Sequence, residues 1–199
     1  GYIVHNEPYI LVVGGQNIDI CGQPTVPPGP HESTPGKVRM SEGGMGRNIA
    51  ANLALLGEEV KLLTVFGDDS MAERLAASSR RLGIDTTQSL TVHHSTSTYL
   101  LITNTEGEAE LSIADTDLYD QLTPKALAGR SKAIQGAGLL VADTNLPRDS
   151  LHWLAENCTC PLFLSTISRH KATRVKGILS RVHTLAVNVA EAEALSGVQ

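Results

Sequence analysis

The sequence predicts an α/β protein, a mostly parallel sheet covered by helices. Three observations lead there. Short apolar runs recur along the chain, and most are followed by a stretch with helical spacing. The first run, 9–13, ends in Gly14-Gly15, as a buried parallel strand feeding a loop should. A glycine-dense turn, Gly43-Gly44-Met45-Gly46, then runs straight into a strongly helical segment.

The elements follow in order. Residues 9–15 form the first strand, and 49–56 carry apolar side chains at helical spacing. Residues 60–67 read as the next strand. A helix over 70–82 places Met71, Leu75 and Leu82 on one side and Arg74, Arg80 and Arg81 outside, and Gly83 stops it. Further strands fall at 138–143 and 161–165, and further helices at 150–157 and 171–181. A last strand spans 184–188 and a last helix 190–195. Such alternation calls for right-handed crossovers. Two segments break it. Residues 23–41 hold Pro24, Pro27, Pro28, Pro30 and Pro35, and 95–115 read as a hairpin turning at Glu106-Gly107.

Composition narrows the function classes. The chain has 199 residues, 41% hydrophobic and 19% charged, enough for one domain with a full core. A net charge of −5 offers no basic surface for nucleic acid or acidic lipid. No apolar run approaches the roughly 20 residues that cross a bilayer. The opening residues lack a cationic end and a signal-peptide core. Cys21, Cys158 and Cys160 are too few for a disulfide framework, so a reducing cytoplasm is expected. The seven histidines show no metal-ligand spacing.

The polar groups gather at strand ends. Glycines at 43, 44 and 46 let backbone approach a ligand, and the helix behind them points its free N–H groups the same way. Asn48 stands in its first turn, able to donate and accept. In an extended chain Asn17 and Asp19 share one face, a pairing suited to vicinal hydroxyls. The plain alternative is a turn held by Asn and Asp side chains. Asn145 follows another strand, and Lys171 follows the next, where it meets either a ligand or only solvent. Asn188 and Glu191 stand one helical turn apart, a carboxylate and amide that suit hydrated Mg²⁺, or equally a capping box.

Gly43, Gly44, Gly46, Asn48, Ala50, Gly57 and Gly67 together resemble the first signature of the ribokinase-like (PfkB) carbohydrate and nucleoside kinases. Asn17-Ile18-Asp19 and the Asn-x-x-Glu of Asn188 and Glu191 resemble further motifs of that family, in its order. Within it, 48–57 and 95–100 are most similar to the pseudouridine-kinase branch, although Ser165-Thr166 stands where that branch has Asp-Pro. The resemblance implies a three-layer α/β/α fold with a small β lid made by about 20–41 and 95–115, which often forms a dimer contact. It implies ATP and Mg²⁺ as cofactors and transfer of the γ-phosphoryl to a primary hydroxyl of a ribosyl nucleoside or sugar, pseudouridine first. Substrate contacts are then expected at Asn17, Asp19, Gly43, Gly44, Gly46, Asn48, Thr98, Asn145 and Lys171. Asn188 and Glu191 would order the metal, through water.

The family's second signature, a Gly-Ala-Gly-Asp stretch carrying the anion hole and the catalytic base, does not occur in these residues. The catalytic base is therefore expected beyond residue 199, with the C-terminal part of the fold missing and 9–199 a partial domain, inactive alone. The competing expectation is a non-catalytic nucleoside- or sugar-binding module, or a gene remnant. Residues 1–8 read as the remnant of an upstream segment. Nucleic acid enters only if that segment is the winged helix that some relatives carry.

Overall fold

A computed structural model of the chain describes residues 8–197. In chain order it begins β1 (Ile10–Val13), β2 (Asn17–Pro24), β3 (Gly36–Gly43), α1 (Met45–Leu55), β4 (Val60–Leu63), β5 (Val65–Phe66) and α2 (Ser70–Arg81). Then come β6 (Leu90–Thr91), β7 (Thr98–Thr103), β8 (Ala109–Asp115), α3 (Pro124–Ala128), α4 (Ser131–Gln135) and β9 (Leu139–Asp143). The described chain closes with α5 (Arg148–Asn157), β10 (Leu162–Ser165), α6 (Arg169–Ala172), β11 (Thr184–Ala186) and α7 (Val189–Ser196).

The main sheet runs β11-β10-β9-β1-β4, and all four of its pairings are parallel. Val12 lies opposite Leu62 on one side and Val141 on the other. Alternate residues feed two cores, as a two-residue period requires. Leu11, Val13, Leu63, Leu140 and Leu164 pack with Ile134 of α4 and Leu151 and Leu154 of α5. Val12, Leu62 and Val141 pack with Ala50 and Ala51 of α1 and with Ile84. Helices thus cover both faces, which explains why β1 reads as unbroken apolar sequence. The expected layered α/β fold is present.

A second sheet stands apart, in the order β3-β2-β7-β8. β2 pairs antiparallel to β3 and parallel to β7, and β8 closes the far side antiparallel to β7. It draws on both segments that interrupt the alternation, and its first strand begins at Asn17 rather than near residue 20. The prolines crowd the connection between β2 and β3, where no ladder N–H is needed. β2 leaves from the carboxyl end of β1, and β3 returns there through Gly43-Gly44 into α1. The sheet is therefore rooted at one edge of the main sheet.

Three expectations need correction. The single strand over 60–67 is two strands broken at Thr64. There the Ser89 hydroxyl donates to the Leu62 carbonyl at 2.9 Å and accepts the Thr64 N–H at 3.0 Å, and β5 turns away to pair with β6. The helix over 171–181 is only α6 followed by short 3₁₀ turns at Thr173–Val175 and Leu179–Arg181. Gly177, at φ +90°, lies between those turns in a conformation no right-handed helix holds. The last strand stops at Ala186, because Asn188 is already capping α7. The sequence reading also passed over α3, α4 and the 3₁₀ turn Asp117–Gln121. Of the upstream remnant expected at 1–8, residues 1–7 lie outside the described residues.

Candidate functional site

The carboxyl ends of β1, β9, β10 and β11 face one edge of the main sheet. The chain leaves β1 for β4 on one side and later enters β9 on the other, so the strand order switches between β1 and β9. Open parallel sheets hold ligands at such a switch point. Nearly every polar residue singled out from the sequence lies along this edge or at the root of the second sheet.

The glycine turn is packed against the protein itself. Gly44 holds φ +96°, and a Cβ there would come within 2.7 Å of the Gln16 Cα. A Cβ on Gly46 would lie 2.9 Å from the Gly14 Cα, backbone against backbone. At Gly43 it would strike the Asp19 carboxylate. These glycines bring the start of α1 hard against the loop after β1. That refines the expectation that their bareness serves only a ligand. It also brings the N-terminus of α1 beside Asn17 and Asp19.

Asn17 and Asp19 do share a face, and the Asn17 amide donates to the Asp19 carboxylate. Burial raises the Asp19 pKa, opposed by that hydrogen bond and by the nearby Arg47 guanidinium. Asn48 is exposed in the first turn of α1, its side-chain oxygen 3.4 Å from an Arg47 nitrogen. Thr98 is not brought to Asp19. It pairs in register with Ile18 and so projects from the opposite face, and Tyr99 is the residue registered with Asp19. The alternating pattern of β7 contains both residues, and only the register between two distant strands separates them.

Asp143 is the residue the sequence undervalued. It ends β9, is 1% exposed, and accepts the Gly15 N–H at 2.8 Å and the Asn145 N–H at 2.9 Å. Burial pushes its pKa up, while the amides of Gly15, Asn145 and Gly46 pull it back. One carboxylate thus ties the loop after β1, the start of α1 and the end of β9. Asn145 is buried and accepts the Lys171 ammonium at 3.0 Å, and Lys171 also donates to Thr116 at 3.1 Å. Burial, with Arg174 nearby, lowers the Lys171 pKa. Lys171 is therefore held against the edge, not merely solvated. Arg174 donates to the carbonyls of Thr144, Asn145 and Leu146 at 2.9–3.1 Å, fixing the turn that carries Asn145. Tyr119, fully buried, donates to the Gln16 carbonyl, and burial drives its pKa upward. No local sequence signal marks Tyr119 or Arg174; an acid closing an apolar strand was the available sign for Asp143.

Asn188 and Glu191 form the complete capping box of α7. The Asn188 oxygen accepts the Glu191 N–H at 2.9 Å, and a Glu191 carboxylate oxygen accepts the Asn188 N–H at 3.1 Å. The same oxygen accepts the Thr166 hydroxyl at 2.6 Å, and Glu191 is 3% exposed. Among the described residues no three His, Cys, Asp or Glu side chains converge as a metal cage. The residues present do not fit direct coordination of Mg²⁺. They fit a single oriented carboxylate that orders water around a hydrated ion.

Comparison with known proteins follows the same lines. The description of the pfkB family of carbohydrate kinases matches residues 7–199. The chain belongs to that family. It is 42% identical over 201 residues to the uncharacterized sugar kinase YeiI of Escherichia coli, covering 99% of this chain and 55% of that protein. It is 34% identical to the Escherichia coli pseudouridine kinase, covering 98% and 63%. Among solved structures, a carbohydrate kinase from Agrobacterium tumefaciens superposes with a TM-score of 0.87 at 36% identity, covering 96% and 64%. A ribokinase from Thermotoga maritima superposes with a TM-score of 0.80 at 22% identity, covering 96% of this chain and 62% of that one, so the fold is the ribokinase-like one. This chain spans between 55% and 64% of the length of these relatives.

Proposed function

We propose that this chain carries the acceptor-binding part of a kinase that moves the γ-phosphoryl of ATP to a primary hydroxyl of a ribosyl nucleoside or sugar, with pseudouridine the first candidate. The observation that carries the reading is the Asn17–Asp19 pair at the root of the second sheet, beside the N-terminus of α1. Asp19 accepts hydrogen bonds from vicinal hydroxyls, and Asn17 both holds that carboxylate and donates. Such charge-assisted bonds contribute about 1.5–3 kcal/mol each. Asn48 reaches the same space from α1, with Gly43, Gly44 and Gly46 setting its approach. Thr98 belongs to the strand beside β2 and contributes to the shape of the root. Asn145 and Lys171 meet a base or sugar substituent along the edge. The pairing with pseudouridine rests on the likeness to the Escherichia coli enzyme of that name.

Glu191, braced by Asn188, would order the water around Mg²⁺. When bound, that ion neutralises phosphate charge during phosphoryl transfer. The second sheet acts as a lid. One of its faces carries Asp19, and the other carries Met40, Val38, Ile102, Leu111 and Ile113 in register, all exposed. An apolar face of that kind suits pairing with a second copy of the chain. Three free cysteines, none in a disulfide, suit a reducing cytoplasm. No helix among the described residues is long and apolar enough to cross a membrane.

A second reading is a nucleoside- or sugar-binding module without chemistry, for which the Asn17–Asp19 pair beside the N-terminus of α1 would suffice. A coupled assay of ADP release separates the two. It is run on the natural gene product with pseudouridine, uridine, inosine, adenosine, ribose and fructose. The kinase reading expects acceptor-dependent ADP release with one of them. No release with any, together with nucleoside-induced thermal stabilisation, would leave only the binding module.

A further inference from the structure

A cavity lies at the other end of the sheet. It encloses about 710 Å³ around the amino ends of β1 and β4, walled by Tyr9, Glu59, Lys61, Gln88, Arg130 and Lys132. That volume falls within the range of about 300–1,000 Å³ usual for small-molecule sites. None of the residues assigned to the carboxyl edge lines it. Three cations and one carboxylate face this space, in a chain whose net charge is −5.

Arg130 is held in place rather than paired off. The Arg130 Nε donates to the Gln88 carbonyl at 2.8 Å and one terminal nitrogen donates to the Ala126 carbonyl at 3.2 Å. Those bonds fix the guanidinium and leave three of its five N–H donors. Lys61 sits 4.1 Å from the centre of the Tyr9 ring, with Asp85 4.0 Å away as a partial counter-charge. Tyr9 is itself anchored by donating to the Ala133 carbonyl. Among the described residues no carboxylate pairs with Arg130 or Lys132. A fixed guanidinium with two ammonium-bearing side chains lining the same cavity matches a doubly charged phosphate better than a lone carboxylate. The space left over exceeds a bare phosphate and accommodates a sugar or ring attached to it.

We propose that this cavity is a second binding site, for a phosphorylated small molecule of nucleotide size, separate from the carboxyl-edge site. Arg130 and Lys132 bind the phosphate, Lys61 adds charge from the floor, and Gln88 and Glu59 offer polar contacts to the remainder. The proposal stands independently of the kinase reading, because no residue is shared.

The test is calorimetric titration of the full chain with uridine 5′-monophosphate, with uridine as control and inorganic phosphate as competitor. The expected result is saturable binding of the monophosphate, displaced by phosphate and weakened by added salt. Loss of one charge-assisted contact predicts an affinity about tenfold lower in Arg130→Gln. Lys132→Glu, at an exposed position where folding is not at risk, is expected to weaken binding as well. Asp19→Asn, which weakens the carboxyl-edge site, is expected to leave the phosphate-displaceable binding intact. Binding lost in Asp19→Asn but intact in Lys132→Glu would overturn the proposal by moving the ligand to the other edge. Equal affinity for uridine and its monophosphate, or no saturable binding of the monophosphate, would overturn it too.

Discussion

The main sheet and the second sheet stand at opposite ends of one scale of burial. In β1, Leu11, Val12 and Val13 are wholly buried, because helices cover both faces. In β3 and β8 nearly every residue is exposed, including Val38 at 73% and Leu111 at 59%. The first sheet is held by packing, and the second by backbone ladders, by its two roots at the end of β1 and by side-chain ties from Asp69 and from Arg74 of α2. That difference sets where precision can be kept. The candidate site lies at the seam, where a buried strand end hands the chain to a sheet with long exposed strands.

The largest effect that would sharpen this contrast is in the buried sheet. Leu140→Ala removes a wholly buried side chain and is expected to cost about 2–5 kcal/mol in urea denaturation. A cost under about 1 kcal/mol would show that the central sheet is not the stability-bearing part.

Asp143→Asn tests the tie at the switch point through pH. Burial raises the Asp143 pKa in the folded chain. Its contribution is therefore fully present below the unfolded value near 4 and is lost as pH rises through the folded one. The stability of wild type minus that of Asp143→Asn should fall with rising pH from about 4 and then level. A difference that stays flat across that range would mean that Asp143 ionises as it does in the unfolded chain.

Asp69→Ala loosens the second sheet from the first layer. Asp69 caps α2 by accepting the Ala72 N–H at 2.9 Å, and it accepts the Thr96 N–H at 2.8 Å just before β7. The loss of the cap is expected to cost about 1–2 kcal/mol, with hydrogen exchange speeding in β7 more than in β9. Uniform speeding in both strands would contradict a separately rooted sheet.

The smallest effect on stability belongs to Leu111→Asp, expected to stay within about 0.5 kcal/mol because the side chain is exposed. If the apolar face pairs with a second copy, sedimentation should show that this change lowers self-association. An unchanged sedimentation profile would remove that face from the account.

Much of this was legible in the sequence because it is local. Apolar runs located the strands of the main sheet, the two-residue period put Asn17 and Asp19 together, and the glycines announced the tight start of α1. What escaped depends on residues far apart. Asp143 meets Gly15 across 128 positions. Thr64 is broken out of its strand by Ser89, and Tyr99 replaces Thr98 beside Asp19 through register alone. Asn188 and Glu191 were found, but with two readings left open. A capping box and a metal-ordering pair call for the same residues at the same spacing, and the capping geometry fixes the carboxylate in either case.

The most direct measurement is calorimetric titration of neutral pseudouridine into the wild-type chain and into Asp19→Asn. The account predicts saturable binding by the wild type and an affinity lower by about tenfold or more in the variant, from one weakened charge-assisted bond. Equal affinity in the two proteins, or no saturable binding by the wild type, would contradict the claim that the root of the second sheet holds the acceptor.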